Sequence, residues 1–516
     1  INLSNGLRVE RLTNHCGEGL VTDVMPGPLF RMWGDDWAID SEDFRVTKVV
    51  REKEEDTECF RLNLICDTIA PGVHVTVWVD VNDPREIGLR ASVDLAERDP
   101  AKTRFLFPEL RGIGFGGVAE DCWIWCPRRG DVITAAAVSL REPYAGAGNP
   151  LQVVGAFDPG RGTGLYLMTQ DLEARSKFYQ VQKNAAGARL AVEYTPLHDT
   201  QLPRTVIGCC QGDWHQQLER YQQWAEPLCQ PVVPRQDWFR QVWSFRQQFM
   251  HFALPVKSGI FDEASKTIKL KEIVDVDAEA FGGVDYLHVF DWGWDPVHGR
   301  CGDYEPWAYL GGVENFRQAV DEVQSVGIPV GLYIEGILVD AQSNLGKQHG
   351  ADWQMLGPAG KPYEYFAPSY HVCPHVKPWQ EYLSSTYRRV REQTGARGFY
   401  IDQYGFSGPT YWCYNPQHEH PVPVTPVLGE RAMLRQVREQ LGPDVVLYSE
   451  ESPTDLNSRY QDGSFTYSIS SASDELSASG VNLYRFAFPS FKTIEIICCD
   501  QPLGSNIEAV KRCLFN

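Results

Sequence analysis

The chain has 516 residues, of which 43% are apolar and 22% are charged, and its formal net charge at pH 7 is −20. This length and apolar content are enough to build a large core, and they predict a globular protein of at least two domains. The negative charge disfavours a phosphate backbone or an anionic membrane as a partner, so we expect no nucleic acid and no membrane, and we favour a neutral ligand.

The two ends of the chain and its cysteines carry less information. The start, residues 1–5, has neither an initiator methionine nor a signal-peptide pattern, and residues 506–516 resemble an interrupted helix. We therefore expect a piece of a longer protein, and the localisation stays open. No segment approaches about 18 consecutive apolar residues. The fourteen cysteines show no repeated Cys-x-x-Cys spacing, so the sequence predicts no zinc site and leaves the redox compartment undecided.

Residues 1–212 contain short runs of alternating apolar and polar residues, separated by Gly, Pro, Asp and Asn, as in segments 73–79 and 164–168. Such spacing is typical of antiparallel strands, so we expect a β-sandwich domain over 1–212. An amphipathic helix over 213–226 follows, and then Pro227, Pro231 and Pro234. This combination predicts a linker over 213–237.

Beyond residue 237, short apolar runs alternate with helical stretches. The runs lie at 243–250, 284–290, 328–334, 398–401, 445–449, 465–468 and 482–488, and helices are expected over 313–326 and 379–394. Strands that alternate with helices form parallel sheets. We therefore expect a (β/α)8 TIM-type barrel over 238–516, whose eighth strand is either compressed into 492–497 or lies beyond residue 516.

Four of these strands end in a carboxylic acid, at Asp291, Glu335, Asp402 and Glu450. In (β/α)8 barrels the carboxyl ends of the strands surround the active site. Acids that converge there repel one another, and partial burial separates their pKa values, so that one acid stays protonated while another is ionised. The recurrence of the pattern favours a catalytic site over a set of solvated acids that cap loops.

Asp402 and Glu450 form the predicted catalytic pair, because they end successive strands and neighbouring strands lie about 4.8 Å apart. Two carboxyl groups about 5 Å apart are typical of glycosidases that retain the anomeric configuration, in which one is the nucleophile and the other the proton donor. We assign these roles to Asp402 and Glu450 in that order. Glu451 has the opposite strand parity and is the second choice for the donor. This chemistry needs no cofactor and no metal, and its substrate is an oligosaccharide or a simpler glycoside.

The run from Asp291 to Trp294 is similar to the aspartate-glycine-tryptophan signature of α-galactosidase-like enzymes, and residues 331–335 look like their next strand motif. The chain thus resembles retaining α-glycosidases that join an N-terminal β-sandwich to a (β/α)8 barrel, and Asp402 matches their nucleophile. Those enzymes take the acid/base from an aspartate on the sixth strand, whereas segment 465–468 offers none. An aspartate on the fourth strand and a glutamate on the fifth is instead the layout of α-amylase-like and endo-α-N-acetylgalactosaminidase-like barrels. The resemblance implies an α-glycosidase and leaves the sugar, and endo or exo action, open.

Further residues near the strand ends are candidates for binding the sugar. They are Arg246, Asp291, Trp292, Trp294, Tyr304, Trp307, Glu335, His371 and Tyr404. Trp292 and Trp294 either stack on a sugar ring or fill the rim of the barrel. His371 is either a donor to a sugar oxygen or a structural histidine. Arg246 either orients Asp402 by a bidentate contact or pairs with another acid nearby.

Two other functions compete with this hypothesis. One is a metal-dependent hydrolase that uses His288, Asp291 and His298, but His288 and Asp291 differ in strand parity and no His-x-His ends a strand. The other is an inactive sugar-binding barrel, whose acids serve only as hydrogen-bonding groups. Hydrolysis of aryl glycosides in the presence of a chelator distinguishes the three functions. The oligomeric state is open.

Overall fold

The computed structural model describes residues 2–3, 6–12, 22–54, 57–81, 83–116, 121–145, 149–250, 260–364, 368–404, 411–466 and 481–495. The chain divides into two compact units. The first comprises Ile1–Leu228 with Tyr467–Phe488 and Glu495–Asn516, and the second comprises Cys229–Thr466 with Pro489–Ile494. In the described part of the chain, no helix combines the length and the apolar character needed to cross a membrane.

The first unit is built from antiparallel strands, as the alternating pattern predicts. One sheet contains, in spatial order, the strands Val132–Thr134, Trp123–Cys126, Val153–Asp158, Thr163–Gln170, Arg204–Gln211, Glu86–Asp94, His74–Asp80, Thr57–Ile65 and Arg45–Glu54. A second sheet contains Val138–Tyr144, Lys177–Asn184, Gly187–Tyr194, Arg104–Phe115, Arg31–Trp33 and Ala38–Asp40, with Thr22–Asp23 paired to Arg104–Phe115. A short pair, Arg8–Val9 with Gly27–Pro28, and the 3-10 helix Ser41–Asp43 complete the described strands and turns.

The helix Trp214–Ala225, which opens the predicted linker over 213–237, falls in the first unit. Asp213 begins it with a capping box, in which its side chain accepts the backbone N–H of His215 at 2.9 Å. The fully buried Gln217 accepts the indole N–H of Trp125 at 2.6 Å and donates to the carbonyl of Ala156 at 3.0 Å. These buried polar contacts hold the helix on the larger sheet.

The second unit alternates strands and helices as predicted. Its main sheet contains, in spatial and chain order, Phe245–Gln248, Tyr286–Val289, Val330–Glu335, Gly398–Asp402, Val446–Ser449, Gly463–Thr466 and Lys492–Glu495. We number these described strands first to seventh, and the first six pair in parallel. The helices are Asp237–Gln241, Leu270–Phe281, Val313–Ser325, Gly346–Gly350 (a π turn), Ala351–Trp353, Lys377–Thr394, Val427–Leu441 and the 3-10 helix Asp455–Tyr460. Short antiparallel pairs join Phe261–Asp262 to Thr267–Ile268 and Leu338–Asp340 to Ser369–His371.

The parallel sheet is strongly curled. The ring of Phe245 on the first strand lies 5.1 Å from that of Phe465 on the sixth, whereas a flat sheet would separate those strands by roughly 24 Å. The inner face is filled by aromatic side chains, and on two neighbouring strands it carries Gly331 and Gly398. A Cβ atom at either glycine would lie 2.0 Å or less from the hydroxyl oxygen of Tyr286. The glycines therefore make room for that ring inside the curl.

The expected strand over 482–488 is wrong, because these residues form the helix Leu483–Ala487 of the first unit. The side chain of Asn482 accepts the N–H of Arg485 at 2.8 Å, and the N–H of Leu483 donates to Asp131 at 2.7 Å. Both contacts satisfy N–H groups at the start of the helix. The seventh strand is instead Lys492–Glu495, which was expected as the eighth. Residues 467–468 of the predicted sixth strand, 496–497, and the predicted C-terminal helix over 506–516 lie outside the described residues.

Candidate active site

Three acids follow inward-facing tyrosines at the carboxyl ends of the third, fourth and fifth strands. The local sequences are Tyr333-Ile334-Glu335, Tyr400-Ile401-Asp402 and Tyr448-Ser449-Glu450. Because side chains alternate along a strand, an acid two positions after an inward tyrosine faces the same way. Glu335 pairs with Asp402 in the sheet register, and Ile401 pairs with Ser449. The parallel register therefore places Glu335, Asp402 and Glu450 side by side.

Asp402 is held by two phenol groups. The hydroxyl of Tyr400 donates to its Oδ1 at 2.7 Å, and the hydroxyl of Tyr333 lies 2.9 Å from its Oδ2. Asp402 is only 8% exposed, and burial raises the pKa of its carboxyl group, while the hydrogen bonds from the two tyrosines oppose that rise. The two phenols thus fix the orientation of Asp402 and favour its ionised form.

Glu335 shares the Tyr333 hydroxyl with Asp402, at 2.9 Å from its own Oε2. A phenol has one proton, so it donates to one carboxyl group and accepts from the other only if that other group is protonated. Burial, and next the negative charge of Asp402, raise the pKa of Glu335. Its Oε1 also accepts the N–H groups of Ile337 at 3.0 Å and Leu338 at 3.3 Å. Burial and the neighbouring charge of Asp402 thus favour the protonated form of Glu335.

Glu450 lies beside Asp402 and is more exposed. Its Oε2 accepts the backbone N–H of Gln403 at 3.2 Å. Gln403 follows Asp402 directly and has a positive φ of 61°, a backbone conformation that costs energy for a residue with a side chain and is frequent at functional sites. The next acid, Glu451, is 4% exposed, and its N–H donates to the carbonyl of Tyr404 at 3.3 Å. Glu450 is thus the acid of this strand that combines solvent access with proximity to Asp402.

The residues after the second strand are more deeply buried than the sequence suggests. Trp292 is fully buried, and its indole stacks on Trp307 at 5.7 Å and packs on Phe316 of the helix Val313–Ser325 at 5.6 Å. The carboxyl group of Asp291 accepts the N–H of Met250, and Asp291 is also fully buried. The hydroxyl of Tyr304 accepts the N–H of Glu335 at 2.5 Å. These buried side chains pack beneath the surface next to the strand ends. Of the three predicted tryptophans, only Trp294 and Trp307 are partly exposed.

Arg246 does not reach Asp402. Its position on the first strand has the opposite parity to the inward Phe245, and its guanidinium lies 3.6 Å from Asp277 on the helix Leu270–Phe281. Of the two explanations of Arg246, pairing with another acid is therefore the one that the structure supports.

Two other predicted binding residues are buried. His371 is 2% exposed, its ring lies 4.5 Å from that of Tyr411, and burial lowers its pKa to about 3. Tyr404 is 1% exposed, and its ring covers Gly336 so closely that a Cβ there would lie 2.5 Å from it. Both side chains line the wall around the strand ends.

The three residues of the metal-hydrolase hypothesis do not converge. The Nδ1 atom of His288 lies 2.7 Å from the hydroxyl of Tyr448 inside the curled sheet, and burial lowers the pKa of His288 to about 3. His298 bonds instead to Asp295, with Nδ1 and Oδ2 3.0 Å apart. The one described group of side chains with metal-ligating spacing lies elsewhere, at residues 373–420.

Sequence reasoning found the acids but missed their tyrosine partners, Tyr333 and Tyr400. The repeated Tyr-x-acid pattern at three strand ends was a usable signal, because it places a phenol and a carboxyl group on one face of a strand. Glu335 was expected to bind sugar, whereas in the structure it shares a hydroxyl group with Asp402.

Solved structures with a similar fold are glycoside hydrolases. They include the α-N-acetylgalactosaminidase NagBb from Bifidobacterium bifidum in complex with GalNAc, with a TM-score of 0.71 and 12% sequence identity over 98% of this chain and 85% of that chain. They also include the GH36 α-galactosidase AgaB from Geobacillus stearothermophilus, with a TM-score of 0.52 and 14% identity over 95% of this chain and 75% of that chain. At such low identity these similarities show the fold alone.

The comparison with curated protein sequences found no match. A family model described as "Domain of unknown function (DUF6259)" matches residues 201–482, which is more than half of the chain. The chain belongs to this family.

Proposed function

We propose that the chain is a glycoside hydrolase that cleaves an α-linked sugar with retention of configuration, and that its parallel sheet belongs to a (β/α)8 barrel. The observation that carries this proposal is the row of Glu335, Asp402 and Glu450 on neighbouring strand ends, in which burial and the charge of Asp402 raise the pKa of Glu335 and two tyrosine hydroxyl groups contact Asp402. Retaining glycosidases need such a pair of unlike carboxyl groups. The solved glycosidases of similar fold point to the same class of reaction.

In this mechanism Asp402 attacks the anomeric carbon. The Tyr400 and Tyr333 hydroxyl groups keep its oxygens oriented and its charge localised. Glu450 protonates the departing oxygen, and after the aglycone leaves it activates the water that releases the sugar from Asp402. The two acids end adjacent parallel strands about 4.8 Å apart, which agrees with the carboxyl separation of about 5 to 5.5 Å in retaining enzymes.

Glu335 acts as a positioning residue. As a neutral acid it completes the hydrogen bonding of the shared Tyr333 hydroxyl without adding a second negative charge beside Asp402. An ionised Glu335 would repel the carboxylate of Asp402 and would compete for the same phenol proton. A protonated Glu335 therefore lets Asp402 stay ionised and hydrogen-bonded to Tyr333.

The substrate in this proposal is an α-glycoside of galactose or N-acetylgalactosamine, because the solved structures of similar fold are an α-galactosidase and an α-N-acetylgalactosaminidase. The half-buried Trp294 and Trp307 are the proposed stacking surfaces. Trp292, Asp291 and Tyr304 hold the wall behind them.

A panel of aryl α- and β-glycosides of galactose, glucose, N-acetylgalactosamine and fucose tests this proposal, with the product anomer followed by NMR. We expect turnover of an α-galactoside or an α-N-acetylgalactosaminide, with the α-anomer formed first. A β-anomer as first product would reject the retaining mechanism. Sugar binding without turnover of any substrate would favour the inactive carbohydrate-binding barrel.

Replacing Glu335 by glutamine should change the pH dependence of hydrolysis. Glutamine keeps the hydrogen bonding of a protonated acid but cannot ionise, so the negative charge that Glu335 gains as the pH rises through its raised pKa is absent. We expect kcat/KM of Glu335→Gln within about tenfold of the wild type near neutral pH, and an alkaline limb displaced to higher pH. Steady-state kinetics across the pH range measure both quantities.

The exposed Glu381 on the helix Lys377–Thr394 supplies the matched control. Glu381→Gln removes a carboxyl group from an exposed helix surface and should leave the pH profile unchanged. An alkaline limb of Glu335→Gln that coincides with that of the wild type would contradict the proposed protonated state of Glu335.

A further inference from the structure

Two cysteines and two histidines of the second unit converge outside the row of carboxyl groups. One ligand atom from each of Cys373, Cys413, His418 and His420 lies within 4.8 Å of every other. The sulfur of Cys413 is 3.4 Å from Nδ1 of His418, and the sulfur of Cys373 is 3.5 Å from Nε2 of His420. Among the described residues, this is the one group with such an arrangement of potential metal ligands.

These separations match a tetrahedral zinc site. Structural Zn²⁺ binds thiolate sulfur at about 2.3 Å and imidazole nitrogen at about 2.0 to 2.1 Å with tetrahedral angles, so a sulfur and a nitrogen of one site lie about 3.5 Å apart. Both measured sulfur–nitrogen distances agree with this value. Two thiolates and two imidazoles are also the ligand types that favour zinc over magnesium or calcium.

The hydrogen bonds of the two histidines leave the correct nitrogen of each ring free to bind a cation. Nε2 of His418 lies 3.1 Å from the carbonyl oxygen of Asp352, and Nδ1 of His420 lies 2.9 Å from that of Pro421. A carbonyl oxygen only accepts, so these nitrogens carry the protons. Asn415 also approaches Nε2 of His418, at 3.2 Å, but the carbonyl fixes the proton there. The lone pairs of Nδ1 of His418 and Nε2 of His420 therefore face the sulfurs, as in zinc sites whose ligands are oriented by backbone carbonyls.

The local backbone holds the four residues in place. Cys413 and Val424 exchange backbone hydrogen bonds of 2.9 and 3.2 Å, which closes the loop that carries both histidines. The N–H of Cys373 donates to the carbonyl of Trp353 at 2.8 Å. The cysteines are 0% and 1% exposed and pack with Met355, whereas the histidines are partly exposed. A cation can therefore enter from the histidine side and be sealed by apolar groups on the sulfur side.

We propose that Cys373, Cys413, His418 and His420 bind one structural zinc ion. Both thiols release their protons to water on binding, and the ion takes four protein ligands with no open position for catalysis. It would fasten the loop 413–424, which follows the strand of Asp402 in the chain, to the segment that ends at Cys373. The rings of Tyr411 and His371, 4.5 Å apart, each precede one of the cysteines by two positions. The zinc ion thus fixes the loop wall beside the strand ends, whether or not the chain hydrolyses glycosides.

Metal analysis of the purified full chain by inductively coupled plasma mass spectrometry tests the site. We expect about one zinc per chain, less than a tenth of that in His420→Ala, and retained zinc in His420→Cys, because cysteine is an equivalent ligand. Replacing zinc by Co²⁺ should give the absorption of a tetrahedral cobalt–thiolate centre, independently of any enzymatic activity. The exposed His74 of the first unit gives the control variant His74→Ala, which should keep its zinc.

Several outcomes would overturn the proposal. A wild-type chain that is folded, contains no zinc and takes up neither Zn²⁺ nor Co²⁺ would do so. So would equal zinc content in His420→Ala and the wild type, or a disulfide between Cys373 and Cys413 in the protein isolated without reductant. Because metal content is measured directly, a failed site and a failed glycosidase assignment remain distinguishable.

Discussion

Replacing Asp402 by alanine should lower kcat/KM by about four orders of magnitude or more, roughly 5 kcal/mol of transition-state stabilisation. The proposed nucleophile supplies the covalent bond to the anomeric carbon, and in this mechanism Glu450 is committed to proton transfer while burial raises the pKa of Glu335. Alanine leaves no buried charge at this position, so we expect Asp402→Ala to remain folded. Kinetics with an aryl α-glycoside and circular dichroism measure the two effects.

Azide separates a lost nucleophile from a general loss of structure. In Asp402→Ala the side-chain space between Tyr400 and Tyr333 is vacated, and a small anion can occupy it. We expect azide to restore part of the turnover and to give a β-glycosyl azide, because the anion attacks from the face that Asp402 used. The buried Asp303, which accepts the N–H groups of Asn344 and Leu345, gives the control variant Asp303→Asn, whose activity azide should not raise. Full activity of Asp402→Ala would reject the assignment.

The order of strands and helices in the second unit was readable from the sequence because the parallel strands after the first are buried on both faces. Val330–Glu335 and Gly398–Asp402 are buried throughout and appear as continuous apolar runs. The acids that follow them stand out because a charge ends each run. Side-chain parity favours Glu450 over Glu451 as the proton donor, which stays a prediction, and in the structure Glu450 accepts the N–H of Gln403, the residue after Asp402.

The segment 482–488 was assigned wrongly because its local pattern permits two structures. Its Leu, Tyr and Phe residues favour a strand, but an Asn482 cap and a contact from Leu483 to the distant Asp131 stabilise a five-residue helix. A partner more than three hundred positions away cannot be inferred from the local pattern. Tertiary contacts therefore decided this element.

The cluster of cysteines and histidines was missed for a similar reason. Cys373 and Cys413 are separated by the helix Lys377–Thr394 and the strand Gly398–Asp402. Short-range zinc motifs place paired ligands within a few residues, and here only Cys413, His418 and His420 are close in sequence. The fourth ligand is brought in by the fold. The prediction that the chain has no metal site was based only on the spacing of cysteines along the sequence.

Replacing Glu450 by glutamine should lower turnover most for substrates whose leaving group must be protonated to depart. Glutamine keeps the size of the side chain and an oxygen that accepts the N–H of Gln403, but it cannot donate an acidic proton. We expect a loss of about 10³ to 10⁴ for an alkyl α-glycoside and a much smaller loss for a dinitrophenyl α-glycoside, whose leaving group departs as an anion. Rates are measured for a series of glycosides whose leaving groups differ in pKa. The slope of log kcat against leaving-group pKa, here called the leaving-group slope, measures this dependence.

Glu451 supplies the matched control, since it follows Glu450 directly in the chain and is buried at 4% exposure. Glu451→Gln should leave the leaving-group slope of the wild type unchanged, because Glu451 is buried whereas the proposed donor Glu450 is partly exposed. If Glu451→Gln steepened the slope and Glu450→Gln did not, the proton donor would be Glu451. If neither variant changed it, the acid would have to come from another strand end, and the pairing of neighbouring acids would no longer explain the reaction.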